Sequence, residues 1–389
     1  MSMKVVLYAN TDWYLYNFRR SLALELQSAG YAVLLISPAG DYGQKLRDLG
    51  LRWEAVPMHR RSLNPLREVR LLAYLFRLFR REKPVMVHGF TIKCAVYGSL
   101  AARLAGVPAR INAVAGMGYV FTSSTPKARA LRPLVRRLLR AALGGTHARL
   151  ILQNPDDVRL FERAKLIDPA NIRLIPGSGV DCTHFTPSGA SVAPSSMVRP
   201  RVLLAARLLW DKGLAEFVDA ARALRARGHA IQFLLAGTPD PGNPATVPTD
   251  TVRSWVAQGV LEWLGHVEDV RALLASVDVV VLPSYREGLP KSLIEAAACG
   301  LPLVTTDVPG CREVVTDGVN GLLVPVRDSS GLATAIARLI NDPALAARLG
   351  QAARVKALAD FDERIIIDRT LNVYRELLGE SPQAQPRSL

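Results

Sequence analysis

A chain of 389 residues, 49% hydrophobic and punctuated by 28 glycines and 25 prolines, is long enough for two folded domains and is neither fibrous nor low-complexity. It contains no apolar run near the ~18 residues needed to cross a bilayer, and the short apolar stretch before Asn10 is too brief for the core of a secretion signal. Cys94, Cys182, Cys299 and Cys311 lack the spacing of a metal site, so a reduced, cytoplasmic setting is expected.

The formal net charge of +15 is uneven: residues 1–185 hold 28 Lys+Arg against 12 Asp+Glu, and residues 186–389 hold 21 against 22. An anionic partner is therefore expected for the first half alone, whether a membrane surface, an acidic acceptor or nucleic acid.

In the first half, strands are predicted at 4–9, 31–37, 52–56, 84–88, 110–114, 149–153 and 172–175. Helices are predicted between them at 18–29, 42–49, 66–81 and 91–105. Such alternation with short loops builds a doubly wound parallel sheet. A further helix spans 129–143. At 100° per residue it gathers Arg129, Arg132, Arg136, Arg137 and Arg140 on one side and Leu131, Leu134, Val135, Leu138, Leu139 and Ala142 on the other. Helix 66–81 likewise sets Arg67, Arg70, Arg77 and Arg81 beside a wide apolar face. The plain alternative for both is a solvated basic face over an ordinary core. Aromatic residues are not interleaved with these basic runs, so nucleic acid is not the expected partner.

Residues 186–200, rich in proline and serine, read as a linker. The first domain is thus bounded at 1–185, and a second alternation fills 201–362. Its strands are predicted at 201–206, 231–236, 260–264, 279–282, 303–306 and 321–324, and its helices at 214–227, 252–258, 270–275, 332–339 and 344–358. A closing helix at 363–380 is expected to pack back on the first domain, followed by a tail at 381–389.

The second half is organised around 279–302. Val279–Leu282 form a buried strand, residues 285–290 a loop carrying Glu287 and Gly288, and Ser292 stands as a candidate N-cap with Glu295 three residues on. Strand, acidic-glycine loop and helix place two carboxylates at the carboxyl edge of a sheet, where polar ligands bind in open α/β folds. Arg207, at the end of the first strand of this domain, and Lys212, followed by Gly213 at a helix start, aim two cations at one spot and suit a diphosphate. Singly, each of these residues is explained as well by a solvated loop or a helix-end charge.

Taken together, the pattern from Glu287 through Glu295 to Pro302, with Arg207 and Lys212, resembles the E-x7-E signature and phosphate motif of the retaining glycosyltransferase family GT4, and the passage from Tyr97 to Phe121 resembles, within it, the subgroup that extends undecaprenyl-diphosphate saccharides. The resemblance implies a GT-B fold, with two Rossmann-like domains facing a cleft. It implies a UDP-sugar donor, with Arg207 and Lys212 on the diphosphate, Glu287 and the backbone of Gly288 and Leu289 on the sugar, and Ser292 beside them. Glu295 would hold the ribose, and the backbone of Gly265 and Val267 the base. No cofactor or metal is implied: the chain's Asp360-Phe361-Asp362 precedes the last helix and reads as a capping pair.

On the acceptor side, Asn10, Asp12, Trp13 and Arg19 follow the first strand, where relatives often carry a glycine-rich loop that this chain lacks. Thr91, Lys93, Gly116 and Gly118 line the adjacent edge. Many relatives read H-x-H at 88–90. This chain keeps His88, a catalytic candidate or a structural strand-end histidine, and has Phe90 at the second place. The expected reaction is therefore sugar transfer to a polyprenyl-diphosphate-linked acceptor in glycan assembly, by a peripheral protein at the inner face of the cell membrane. The five arginines of 129–143 would meet anionic lipid. The alternatives are a transferase on a soluble acceptor, a UDP-sugar 2-epimerase, and a non-catalytic basic binding protein.

Overall fold

The computed structural model describes all residues except 1, 61, 63, 115–125, 188–198 and 380–389, and the side chains of 126–132 are not described either. The chain divides into two compact units, Met1–Ser178 with Ile366–Leu389, and Gly179–Ile365.

Unit 1 is built on seven parallel strands: β1 (Lys4–Tyr8), β2 (Ala32–Ser37), β3 (Arg52–Ala55), β4 (Met86–Phe90), β5 (Ala109–Ala113), β6 (Ala148–Leu152) and β7 (Ile172–Leu174). Their order is β3-β2-β1-β4-β5-β6-β7, so chain direction across the sheet reverses between β1 and β4. The helices are α1 (Asp12–Ser28), α2 (Gly43–Asp48), α3 (Pro65–Glu82), α4 (Ile92–Ala105), α5 (Pro126–Leu143) and α6 (Pro155–Arg163). Alternate residues of β1 feed opposite faces: Val5 and Leu7 join one apolar cluster, Val6 and Tyr8 another. A parallel strand covered on both faces needs such an unbroken apolar run, which is why these strands stand out in the sequence.

Unit 2 has six parallel strands, β8 (Arg201–Ala205), β9 (Gln232–Ala236), β10 (Glu262–Gly265), β11 (Val279–Leu282), β12 (Leu303–Thr306) and β13 (Leu322–Val324), ordered β10-β9-β8-β11-β12-β13. Around them lie α7 (Leu214–Ala226), α8 (Thr249–Ala257), α9 (Val270–Leu274), α10 (Lys291–Ala298), α11 (Cys311–Val314), α12 (Ser329–Asn341) and α13 (Pro343–Lys356). The last helix, α14 (Glu363–Leu378), places Ile366, Ile367, Leu371 and Tyr374 in the same apolar cluster as Val5 and Leu7 of unit 1, while Glu376 bonds Arg149 of β6 and Arg173 of β7. Among the described residues no helix is long and apolar enough to cross a membrane.

The structure departs from the sequence reading in several places. Helix α1 begins at Asp12 rather than 18, because Thr11 caps it by accepting from the Tyr14 amide at 3.1 Å. Helix α6, not predicted, starts from an Asn154 cap with Pro155 in its first turn, a signal present in the sequence. The unit boundary falls at Ser178/Gly179, ahead of 185: the Val180 amide donates to the Phe361 carbonyl at 2.9 Å, and the Glu363 amide donates to the Val180 carbonyl at 3.0 Å. Most of the expected linker, and the tail, lie outside the described residues.

At the foot of unit 1, three cations converge on the buried carboxylate of Glu82: Lys4 at 2.7 Å, Arg52 at 2.8 Å and Arg81 at 3.0 Å. Led by the hydrogen bond from Arg52, they pull its pKa from 4.5 to about 2. A depressed folded-state pKa stabilises above the unfolded value and is lost as pH falls through the folded one. Glu82→Gln should therefore cost on the order of 2 kcal/mol at pH 7. In urea titrations the gap from wild type should narrow from about pH 4.5 downward; a gap unchanged to pH 2.5 would contradict this account.

Candidate active site

In unit 2 the residues singled out by the sequence lie at the carboxyl ends of strands on both sides of the switch between β8 and β11. Lys212 ends a short 3-10 turn, Trp210–Lys212, and Gly213 follows at φ 73°. A Cβ at Gly213 would stand 2.1 Å from the Pro283 carbonyl oxygen, so only glycine lets the α7 start approach the end of β11 this closely. That approach lets the Lys212 ammonium pair with the Glu287 carboxylate, 75 residues away in sequence, with both side chains largely buried.

Ser284, fully buried, donates to the same Glu287 oxygen at 2.6 Å. The loop carrying Glu287 is fixed by further long-range contacts. The Tyr285 amide donates to the Asp211 carbonyl at 2.9 Å, and the Tyr285 hydroxyl to Glu216 at 2.8 Å. The Glu287 amide donates to the Pro309 carbonyl at 3.3 Å. Gly310, φ 82°, lies so close that an added Cβ would meet the carbonyl oxygens of Gly288 and Glu287 at 2.6 and 2.7 Å.

Helix α10 begins at Lys291 behind Pro290, so Ser292 sits in the first turn and is not the cap. Glu295 is largely buried, and burial raises its pKa against the opposing charge of Lys291, 3.7 Å away. Gly265 ends β10 at φ 67° with open space above it, and Val267 is half-buried against the core. Arg207 remains over half exposed and pairs at 2.8 Å with Asp240, a partner that no local signal in the sequence indicates.

In unit 1 the predicted residues also gather at the switch point, between β1 and β4, but several are committed to the fold. Asp12 is buried, one carboxylate oxygen accepting from the Trp13 amide and the other from the amides of Tyr42 and Gly43, all at 2.8–2.9 Å. Arg19 is buried as well, 4.3 Å from the centre of the Phe90 ring and donating to the Tyr14 hydroxyl at 3.1 Å, so it is not presented to an anion. Phe90 thus takes the second position of H-x-H as a platform for Arg19, its ring 4.1 Å from that of His88.

His88 is 1% exposed, and its Nδ1 is 2.7 Å from the Tyr374 hydroxyl on α14. Burial, with the nearby Arg19 charge, holds its pKa well below the usual imidazole range, so it is neutral. As packed, His88 offers no surface to a ligand. Lys93 is likewise engaged, donating to the carbonyls of His59 and Ser62 and to Glu68. Trp13, 41% exposed, and Asn10 keep accessible surface. Thr91 holds φ 73°, ψ 156°, a region a β-branched residue enters at a cost of about 1–3 kcal/mol, and turns the chain from β4 into α4. Gly116 and Gly118 lie outside the described residues.

On α5, Arg136 and Arg140 donate to the carbonyls of Ala164 and Lys165 at 2.9 and 2.8 Å, closing the end of α6. Arg137 is exposed, and the side chains of Arg129 and Arg132 are not described. Asp362 accepts from the Arg364 amide at 2.9 Å and pairs with its guanidinium, which matches a capping acid.

Two cations, a positioned carboxylate and a helix start at the switch point of a doubly wound sheet define a site for an anionic, hydroxyl-rich ligand. Residues 4–152 match the family described as glycosyl transferase 4-like, and residues 199–342 the family described as glycosyl transferases group 1. The N,N'-diacetylbacillosaminyl-diphospho-undecaprenol alpha-1,3-N-acetylgalactosaminyltransferase of Campylobacter jejuni is 30% identical over 94% of this chain and 96% of its own. An Escherichia coli UDP-Gal:alpha-D-GlcNAc-diphosphoundecaprenol alpha-1,3-galactosyltransferase is 26% identical over 83% of each. Among solved structures, a glycosyltransferase from Rickettsia africae superposes with a TM-score of 0.77 at 18% identity, over 98% of this chain and 100% of that one. Anabaena HepE in complex with UDP-glucose gives 0.77 at 20%, over 97% and 100%. The chain belongs to the GT4 family of glycosyltransferases and has the GT-B fold.

Gly310→Ala tests the packing that sets Glu287. The new methyl group must displace the 287–288 carbonyls, so sugar transfer should fall at least about tenfold, equivalent to ~1.4 kcal/mol, while circular dichroism remains native. Unimpaired transfer would show that this contact does not position Glu287.

Proposed function

We propose that the protein is a retaining transferase that moves a sugar from a UDP-sugar to a polyprenyl-diphosphate-linked saccharide at the inner face of an anionic membrane. The observation that carries the donor half is the Lys212–Glu287 pair at the switch point, with Arg207 just past the end of β8 and Glu295 in helix α10, which follows β11. HepE, which shares the fold, was crystallised with UDP-glucose, which supports a UDP-sugar. The names of the C. jejuni and E. coli relatives, which are similar over most of their length, support a diphosphoundecaprenol-linked acceptor.

In this reading Arg207 and Lys212 neutralise the departing diphosphate and supply positive charge where the transition state develops negative charge. The acceptor hydroxyl attacks from the leaving-group side and no protein nucleophile is used. Glu287, held by Ser284, orients the sugar. Glu295 accepts hydrogen bonds from the ribose hydroxyls, and the backbone of Gly265 and Val267 lies against the base. No metal is required in this scheme.

Glu287→Gln should lower kcat at least about a hundredfold, or ~2.7 kcal/mol in the barrier, with the Kd for UDP nearly unchanged. An equal collapse of UDP binding would remove the role given to Glu287. Because Glu295 has a raised pKa, it should protonate at higher pH than an ordinary glutamate, and UDP binding should weaken as pH falls toward that value. Calorimetric titration across mildly acidic pH should show this loss in the wild type and a flatter profile in Glu295→Gln. Identical profiles would place the ribose elsewhere. Release of UDP should depend on a lipid-linked saccharide; no release with any acceptor would overturn the assignment.

A further inference from the structure

Helix α3 buries Leu71, Leu75, Leu78 and Phe79 in the core, and its acidic residues face the protein: Glu68 pairs with Lys93, Glu82 with Lys4 and Arg52. Its opposite side carries a second apolar stripe. Leu66 is 72% exposed, Val69 63% and Phe76 37%, one turn and then two turns apart, spacings that align side chains along one helix face. Arg70, Arg77 and Arg80 fall on the same side and Arg67 beside it. All four are exposed, and among the described residues they make no ion pair or hydrogen bond. Arg81, grouped with them from the sequence, is instead bound to Glu54 and Glu82.

We propose that this outer face of α3 is the surface by which the protein docks on an anionic lipid bilayer, with Leu66, Val69 and Phe76 entering the interfacial layer and the four arginines lying among the headgroups. The proposal rests on the membrane-linked acceptor reading above and gives that acceptor's membrane a defined contact. Charge complementarity selects the occupant. A second copy of the chain meeting this face through a twofold axis would set arginines against arginines, with no acidic residue in the stripe to offset them. An exposed, basic, apolar-striped helix lying along its length suits a bilayer interface, where apolar side chains enter ~5–10 Å and each nearby cation adds attraction.

The placement also fits the chemistry. The N-terminal turn of α3 is tied through Glu68 to Lys93 in the first turn of α4, directly after β4. Docking through α3 therefore brings lipid to the β4–α4 edge of unit 1, where the acceptor candidates lie. On α5, by contrast, Arg136 and Arg140 are occupied by the α6 carbonyls.

The test is co-sedimentation of the full chain with vesicles of phosphatidylcholine alone or of phosphatidylcholine mixed with phosphatidylglycerol, which supplies the negative surface charge. Wild type should bind the anionic vesicles and release as salt rises. Leu66→Ser/Val69→Ser/Phe76→Ser and Arg70→Glu/Arg77→Glu should each weaken binding at least about tenfold, since each removes one of the two attractions that two-signal anchoring needs. Arg136→Glu/Arg140→Glu should retain it.

All four native cysteines are buried, so Val69→Cys can be labelled selectively with a polarity-sensitive dye. Its emission should shift to the blue on anionic vesicles. Wild-type binding by both α3 variants, or no blue shift, would overturn the proposal. So would a vesicle-independent change from dimer to monomer in the α3 variants, which would make the face a self-association surface. Transfer to a short-chain, water-soluble lipid-diphosphate saccharide separates the two readings: it should survive in the α3 variants. Its absence in wild type with vesicle binding intact would count against the proposed reaction and leave the docking face standing.

Discussion

The site at the carboxyl edge of unit 2 depends on one ion pair, between Lys212 and Glu287. Each lies on a different strand–helix connection, and the sheet order β8-β11 makes these connections neighbours. Two opposite charges brought out of water together cost far less than either alone, so the pair secures the closeness of the two loops before any ligand arrives. Gly213 permits the approach, Ser284 supplies a second hydrogen bond to the carboxylate, and Gly310 backs the loop from the far side. In the proposed reaction these two charges have separate tasks, one toward phosphate and one toward sugar. A diphosphate would thus replace Glu287 as the partner of Lys212 and free the carboxylate for the sugar hydroxyls.

The strands were legible because a parallel sheet covered on both faces demands continuous apolar runs, and Val5–Tyr8 or Val279–Leu282 have little else they can be. Glu287, Glu295, Arg207 and Lys212 were legible because their spacing from strand ends fixes the sheet edge on which they lie. The rest depends on contacts between residues remote in sequence. Asp12 and Arg19 look like loop polarity until Gly43 and Phe90 are packed beside them. Asp240 and Ser284 carry no local signature; their partners are supplied by the fold. The start of α1 and the whole of α6 follow capping signals, at Thr11 and at Asn154-Pro155, that were present but lay outside any strong apolar period.

The basic half shows how a charge count is divided once the chain folds. The arginines of 66–81 and 129–143 read alike as sequence. In the structure Arg136 and Arg140 close a helix end, Arg81 helps neutralise a buried glutamate, and Arg19 stacks on Phe90. Arg136 and Arg140 stay exposed while bonded to carbonyls, whereas on α3 arginines unpaired among the described residues are interleaved with exposed Leu66, Val69 and Phe76. His88 shows the same division. At a strand end where the family resemblance implies an H-x-H pair, it is neutral, buried and bonded to Tyr374, joining the closing helix to β4.

The most direct test of the proposed donor site is a crystal structure of the protein saturated with UDP. The Lys212 ammonium should lie within hydrogen-bond distance of the β-phosphate and away from Glu287, with Arg207 turned from Asp240 toward the same phosphate and both ribose hydroxyls on Glu295. A UDP molecule bound elsewhere, with the Lys212–Glu287 pair intact, would contradict the assignment.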